Sequence, residues 1–173
     1  ELVEGGVEQN RISIWKRGID AQLFHPSKRD VAHIQTLTKK KERVILFASR
    51  LVWEKNLQVL IDLYQLIEQR HLPWHVLVAG DGVAADACKR QMPQATFLGT
   101  VSHQELSVLY AGADVFFFPS VSESYGNVVL EAMASGLPCV IADGGGSRDF
   151  IEQGMNGFKC EPYQAQGYLD RIE

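Results

Sequence analysis

The chain has 173 residues, of which 46% are hydrophobic and 22% charged, and its formal net charge at pH 7 is −4. This length allows one α/β domain with a buried core but is short for two. The composition is that of a folded globular protein without long disorder. Because the net charge is negative and no basic run exceeds residues 39–41, nucleic acid is not an expected partner.

The cysteines and the apolar runs exclude further classes of protein. Cys88, Cys139 and Cys160 are odd in number and lack CxxC spacing, so neither a disulfide framework nor a zinc site is predicted. The longest apolar runs, such as residues 115–119, are far shorter than the roughly 20 residues of a membrane-spanning helix. We therefore predict a cytoplasmic protein.

The first 42 residues lack a clear pattern. Residues 11–15 could form a strand, residues 17–26 resemble a loop, and the helicity of the polar segment 28–43 is left open by the sequence. The chain begins without Met and stops partway through a helix-like segment, so we expect a piece of a longer protein. We predict that residues 1–42 are an interdomain connector with partial N-terminal elements, and that residues 43–173 are a Rossmann-like domain truncated at its C-terminus.

From residue 43 onward, short apolar runs alternate with amphipathic segments. The runs are residues 43–49, 74–80, 95–99, 114–120 and 138–143. Their continuous apolarity predicts buried parallel strands, since a half-exposed strand would alternate.

The amphipathic segments predict the helices between these strands. Apolar residues recur at helical spacing after residue 56, and Asn56 is placed to cap that helix. Further helices are predicted at about 83–91, 103–112, 127–135 and 147–153. The repeated β-α order predicts an α/β fold with a doubly wound parallel sheet.

Polar and glycine-rich residues follow each predicted strand, at the edge where open parallel sheets bind ligands. These clusters are residues 49–56, 79–82, 99–101, 120–127 and 143–147. Arg50 offers a forked donor and Lys55 a mobile charge, which together suit a diphosphate. Taken singly, such residues are more often solvated surface charges.

The stretch "ESYGNVVLEAMASGLP" adds a glycine turn and two carboxylates. The backbone N–H groups of residues 126–128 would bind an anion at a helix start, although a plain strand-to-helix turn explains the glycine equally well. If the segment is mostly helical, Glu123 and Glu131 lie about 12 Å apart. That distance exceeds the spacing of about 5–9.5 Å for a paired acid and base, but it suits two ends of one extended ligand, a sugar and a ribose.

Residues 11–162 resemble the C-terminal, donor-binding domain of a group 1 (family 4) retaining glycosyltransferase with two Rossmann-like domains. The resemblance is carried by "RLVWEKN", "GDG", "GMNGF" and the Glu-x7-Glu pattern within residues 97–146. It implies one half of a two-domain glycosyltransferase. The activity implied is retaining transfer of a hexose from a nucleotide-diphosphate sugar to a lipid or glycan acceptor, without a metal or other cofactor.

The resemblance also implies residue roles. Arg50, Lys55 and Glu123 are the implied catalytic residues. Arg50 and Lys55 would hold the diphosphate and stabilise the leaving nucleotide in place of a metal, and Glu123 would contact the transferred sugar. Glu131 would bind the ribose, and Val101 would lie against the base through its backbone. The complete set of implied donor-binding residues is Gly80, Asp81, Val101, Tyr125, Gly126, Asn127, Val128 and Glu131.

Two residues depart from the family pattern, since Ser49 stands where a glycine is usual and Asp149 where a glutamate is usual. The family's N-terminal acceptor domain is missing, so we expect the chain to bind donor but to transfer little or no sugar alone. The connector around residues 12–26 is similar to that of members acting on lipid acceptors, which implies an acceptor at the membrane surface and a location peripheral to its inner face. Two alternatives stay open, a non-catalytic nucleotide-sugar-binding module and a nucleotide-sugar epimerase.

Overall fold

The computed structural model describes residues 3–12, 18–38 and 43–173, and its centre is a six-stranded sheet. Neighbouring strands pair in parallel in the order β3-β2-β1-β4-β5-β6. The strands are β1 (Arg43–Ala48), β2 (Trp74–Ala79), β3 (Thr96–Gly99), β4 (Val115–Phe118), β5 (Cys139–Ala142) and β6 (Gly157–Cys160). The predicted doubly wound parallel sheet is therefore confirmed.

Within the described ranges, six α-helices cover the two faces of this sheet. They are α1 (Val31–Leu37), α2 (Leu57–Gln69), α3 (Ala85–Gln91), α4 (His103–Gly112), α5 (Asn127–Ala134) and α6 (Ala165–Ile172). One core layer lies between the sheet and α2, α3 and α6, and the other lies beneath α1, α4 and α5. Alternate side chains of each central strand enter opposite layers, which explains why these strands are continuously apolar.

Two features differ from the sequence prediction. The strand β6 was missed because it has only four residues, includes Lys159 and lies at the sheet edge. The helix predicted at 147–153 is wrong, since only the 3₁₀ turn Gly146–Phe150 forms there, and the chain is already extended at Ile151. Ile151 is buried in the core, so its packing favours the extended conformation.

The segment before β1 packs onto the domain. Asp30 accepts a hydrogen bond from the backbone N–H of His33 at 2.9 Å and caps α1, so the polar segment is helical over Val31–Leu37. Phe24 and Ile34 are buried in the layer beneath α4 and α5. The strand considered at 11–15 falls mostly outside the described residues, and the domain division at residue 42 stays a prediction.

None of the helices in the described ranges has the length and apolarity needed to cross a membrane.

Replacement of Phe117 by alanine tests the core beneath α6. Phe117 is fully buried and meets Tyr168 edge-to-face, with ring centroids 5.1 Å apart. We expect Phe117→Ala to lower the free energy of unfolding by about 3–5 kcal/mol, since it removes the ring and leaves a cavity. Urea denaturation measures this. The control Val83→Ala, at a side chain that is 90% exposed, should change stability by less than about 0.5 kcal/mol. An equal loss of unfolding free energy in both variants would contradict the packing of Phe117 against Tyr168.

Candidate functional site

The strand order places a crevice at the carboxyl ends of β1 and β4. β1 leads into α2 on one face of the sheet, whereas its neighbour β4 leads into α5 on the other face. The loops that follow these two strands therefore diverge, and open parallel sheets bind their ligands between such loops. The predicted residues Arg50, Lys55 and Glu123 all lie on these two loops.

Lys55 and Glu123 form an ion pair across this crevice. The Lys55 Nζ atom lies 2.5 Å from Glu123 Oε1, and the two side chains are only 8% and 22% exposed. Lys55 ends the 3₁₀ turn Trp53–Lys55, which directs its side chain inward. Charges removed from water in this way interact more strongly than surface charges. The sequence predicted both residues as ligand contacts, and the structure brings them into contact with each other.

Asn56 is the N-cap residue of α2, as predicted, but its side chain does not form the cap. Its backbone is left-handed, with φ 59° and ψ 40°, and its side chain makes no capping hydrogen bond. The Asn56 Nδ2 group instead donates to the carbonyl oxygens of Pro119 at 3.1 Å and Pro162 at 2.9 Å. The preference of asparagine for helix N-termini reflects hydrogen bonds to nearby backbone N–H groups. Here the side chain instead donates to two carbonyl oxygens that are distant in sequence.

Serines add a further link between the loops, one that sequence reasoning missed. Ser122 donates through its hydroxyl to the backbone oxygen of Glu54 at 3.1 Å. The buried hydroxyl of Ser120 accepts from the Ser122 N–H at 3.4 Å. The only signal for these contacts in the sequence is the pair of hydroxyl residues directly after a buried strand.

Arg50 lies on the same loop as Lys55 but at the surface. It pairs with Glu54 at 3.5 Å, and the two side chains are 72% and 62% exposed. Exposed pairs of this kind contribute about 0–1 kcal/mol. Arg50 can therefore exchange Glu54 for an anionic ligand at little cost.

The glycine turn before α5 is tightly packed. Gly126 has φ +87°, and a Cβ added there would lie 2.6 Å from the Cβ of Ser147. The helix begins at Asn127, directly after this turn, and the first N–H groups of a helix have no intrahelical partner. Asn127 is exposed and Val128 half-buried at this end of α5. The glycine is required both by its left-handed conformation and by the neighbouring loop.

The loop after β5 supports the residues before this turn. The Gly146 N–H donates to the backbone oxygen of Glu123 at 2.7 Å. The Tyr125 ring meets Phe150 edge-to-face, with centroids 5.1 Å apart. Asp149, the acid that departs from the family pattern, is exposed. The backbone of Glu123 and the ring of Tyr125 are thus both held by the same loop.

Gly80 lets the ends of β1 and β2 approach each other closely. It has φ +127°, and a Cβ there would overlap the backbone oxygen of Ser49. Its N–H donates to Gly99 at 2.7 Å. The next residue, Asp81, is exposed, and its carboxylate accepts from the Gly82 N–H at 2.7 Å.

A cavity of about 170 Å³ lies beside Gly80, between the ends of β1 to β3 and the helices α4 and α5. Its lining includes Ala48, Ser49, Gly80, Thr100, Val101 and Val128. Three predicted donor-binding residues therefore share one cavity. A larger cavity, of about 390 Å³, lies at the opposite edge of the sheet and is lined by none of the predicted residues.

Glu131 lies half-buried on α5, and Tyr110 donates to its Oε2 atom at 3.4 Å. Burial raises the pKa of Glu131, and the charge of His103 and the Tyr110 hydrogen bond oppose this only in part. Burial also raises the pKa of Tyr110 well above its usual value, so this phenol remains a donor.

The predicted distance of about 12 Å between Glu123 and Glu131 assumed a mostly helical segment. Because α5 begins only at Asn127, that prediction does not apply.

No group of three His, Cys, Asp or Glu side chains in the described part of the chain is arranged to hold a metal ion. The predicted roles of the site residues in ligand binding stay predictions.

The raised pKa of Glu131 predicts a pH-dependent effect of Glu131→Gln on stability. A carboxyl whose folded-state pKa is raised stabilises the fold below its unfolded pKa of about 4.3, and this contribution is lost as pH rises through the folded-state pKa. The neutral glutamine variant has no such dependence. The difference in unfolding free energy, Glu131→Gln minus wild type, should therefore increase as the pH rises from about 4 and then become constant. Urea denaturation of both proteins between about pH 4 and about pH 7.5 measures this difference.

The exposed Glu152→Gln variant removes a carboxylate without relieving burial and serves as the control. A pH-independent difference between wild type and Glu131→Gln would contradict the effect of burial.

The chain matches the family model for glycosyl transferases group 1 over residues 28–173. It is 34% identical over 158 residues to a GDP-mannose-dependent alpha-mannosyltransferase of Corynebacterium glutamicum, covering 91% of this chain and 37% of that protein. It is also 34% identical over 179 residues to the sulfoquinovosyl transferase SQD2 of Arabidopsis thaliana, covering 99% of this chain and 34% of that protein.

Among solved structures, the chain is similar to Anabaena Alr3699/HepE in complex with UDP and glucose. The TM-score is 0.80 at 25% identity, and the match covers 98% of this chain and 48% of that one. The chain thus spans about a third of the length of the two relatives and about half that of the Anabaena protein. With the family model matching most of its length, the chain belongs to the glycosyl transferases group 1 family.

Proposed function

We propose that this chain is the donor-binding half of a retaining hexosyltransferase, and that its crevice holds a nucleotide-diphosphate sugar. The observation that carries the proposal is the ion pair between the buried Lys55 and the half-buried Glu123 at the strand-order switch. A cation and a carboxylate at this point supply, side by side, a partner for phosphate and an acceptor for sugar hydroxyls.

The diphosphate would lie against Lys55 and Arg50. Lys55 is fixed by the surrounding loops, whereas Arg50 is exposed and pairs with Glu54 at the surface. The first N–H groups of α5, after Gly126, would add donors to the phosphate or the sugar. Fixed positive charge near a departing nucleoside diphosphate stabilises the negative charge that develops on it. This supports transfer without a metal.

The nucleoside would extend from the diphosphate toward α5 and the smaller cavity. Glu131 would accept hydrogen bonds from ribose hydroxyls, since a carboxylate is a strong acceptor. The cavity beside Gly80 and Val101 would receive the base. The name of the Corynebacterium relative mentions GDP-mannose, and the Anabaena structure contains UDP and glucose. A nucleoside diphosphate is common to both.

Binding of the acceptor would require a second domain, in a longer protein of which this chain is a part. We propose that an N-terminal domain supplies the acceptor site for a lipid or a glycan, and that this chain alone transfers little or no sugar. A cytoplasmic location, peripheral to the membrane for a lipid acceptor, is part of the same proposal.

Calorimetric titration with UDP, GDP and ADP tests the donor site. We expect one nucleotide to bind, and we expect Arg50→Ala and Glu131→Ala each to weaken its binding by about tenfold, equivalent to about 1.4 kcal/mol, because each removes one contact to the ligand. Arg90→Ala is the matched control, since Arg90 is exposed in the last turn of α3, away from the crevice. Equal binding by Arg50→Ala, Glu131→Ala and wild type would place the nucleotide elsewhere, and no binding of any nucleotide to wild type would refute the proposal for this chain.

Glu123→Gln separates the diphosphate contact from the sugar contact. The variant removes the anion that competes with a diphosphate for Lys55, while the Asn56 hydrogen bonds still hold the loop that carries Lys55. A nucleoside diphosphate without sugar should therefore bind about tenfold more tightly. A nucleotide sugar should gain less, because the carboxylate that would accept its hydroxyls is gone. Calorimetry with both ligands measures the difference. Glu54→Gln, which breaks the exposed pair with Arg50, is the control. Equal gains for both ligands would count against a sugar contact at Glu123.

A further inference from the structure

We propose that Asn56 is the positioning residue of this site. Its side-chain amide holds the loop that carries Lys55 against two other loops, and so sets Lys55 against Glu123. The role in ligand binding rests on the function proposed above, whereas the contacts themselves are in the structure.

The backbone of Asn56 determines where Lys55 points. Asn56 and His71 are the two non-glycine residues with positive φ among those described, and asparagine tolerates this conformation better than most residues. The Asn56 N–H donates to Trp53 at 3.0 Å, and α2 begins at the next residue. This reversal leaves Trp53 exposed and Lys55 buried.

The side chain of Asn56 joins three loops. Pro119 directly follows β4 and precedes Glu123 by four residues, while Pro162 lies two residues after β6. The two Asn56 hydrogen bonds, at 3.1 Å and 2.9 Å, use both donors of the amide group. A carboxylate in this place would put oxygen against two carbonyl oxygens, and a hydroxyl has one hydrogen to donate. The contact therefore requires an amide.

The hydrogen bond from Asn56 to Pro119 is one of three adjacent contacts between the loop that follows β1 and the loop that follows β4. Glu54 accepts from Ser122, Lys55 pairs with Glu123, and Asn56 donates to Pro119. Three consecutive residues of one loop thus contact residues 119–123 of the other. The energy of an ion pair depends on the distance between its charges. Loss of the Asn56 hydrogen bonds is therefore expected to increase the distance between Lys55 and Glu123.

Two substitutions separate positioning by the amide from a simple need for a left-handed turn. Asn56→Gly keeps the turn, since glycine adopts positive φ readily, but removes both donors. Asn56→Asp keeps the size of the side chain and replaces the donors by acceptors. A residue that served only the turn would be replaced by glycine without loss of affinity.

The first measurement is acetylation of Lys55 by N-hydroxysuccinimide acetate, followed by mass spectrometry without any nucleotide. We expect Lys55 in wild type to react slowly, because its amine is buried and paired. Both Asn56 variants should react several-fold faster. Unchanged labelling in the two variants would overturn the positioning role, whatever the chain binds.

The second measurement is calorimetry with the nucleoside diphosphate that wild type binds best, at a temperature where circular dichroism shows every variant folded. Asn56→Gly should weaken binding by about tenfold, and Asn56→Asp by at least as much. Gln153→Gly is the matched control, since the Gln153 amide also makes two hydrogen bonds to the backbone, both to Lys159 in the edge strand β6. This control should lower the thermal midpoint but leave affinity unchanged.

The outcomes distinguish the two proposals. Wild-type affinity in Asn56→Gly, or an equal loss of affinity in Gln153→Gly, would overturn the role of Asn56 in binding. Failure of wild type to bind any nucleotide would refute the proposed function, and the labelling of Lys55 would then decide the positioning role alone.

Discussion

The ion pair between Lys55 and Glu123 is the constraint on which the carboxyl edge of the sheet depends. Removing two charges from water is costly unless good geometry and further hydrogen bonds accompany the pair. The surrounding contacts supply that geometry, through the Asn56 amide, the Ser122 hydroxyl and the Gly146 N–H on Glu123. Each of these groups holds a loop of the crevice. The pair therefore explains why several polar residues gather beside a core that is otherwise apolar.

The charged groups of the crevice differ in how firmly they are held. Lys55 is buried and fixed, whereas Arg50 is exposed and weakly paired. In the proposed function, a fixed cation orients the diphosphate and a mobile one closes over it. Glu131 adds a carboxylate whose burial favours its protonated form, and a ribose that donates hydrogen bonds would favour the ionised form instead. In the proposed function, hydrogen bonds from the ribose would offset the cost of ionising this half-buried carboxyl.

Sequence patterns predicted strands correctly where every residue of the strand is buried. The central strands lie between two helical layers, so their apolar runs stand out in the sequence. The edge strand β6 is short and carries Lys159, so no such run marks it. The predicted helix after Gly146 failed because packing of Ile151 extends the chain there. The position of Asn56 at the start of α2 was predicted correctly. The partners of its side chain were not, because local propensity carries no information about carbonyls 63 and 106 residues away.

The sequence by itself determined the α/β class, the order of the main elements and the set of residues at the carboxyl ends of the strands. These follow from periodicity, from turn residues and from motifs shared with the family. Tertiary structure alone decided that Lys55 pairs with Glu123, that Asn56 joins three loops, and that Tyr110 lies beside Glu131. Such contacts depend on the order of strands in the sheet, in which β4 lies next to β1. Distant loops meet because of that order, and no short stretch of sequence contains it.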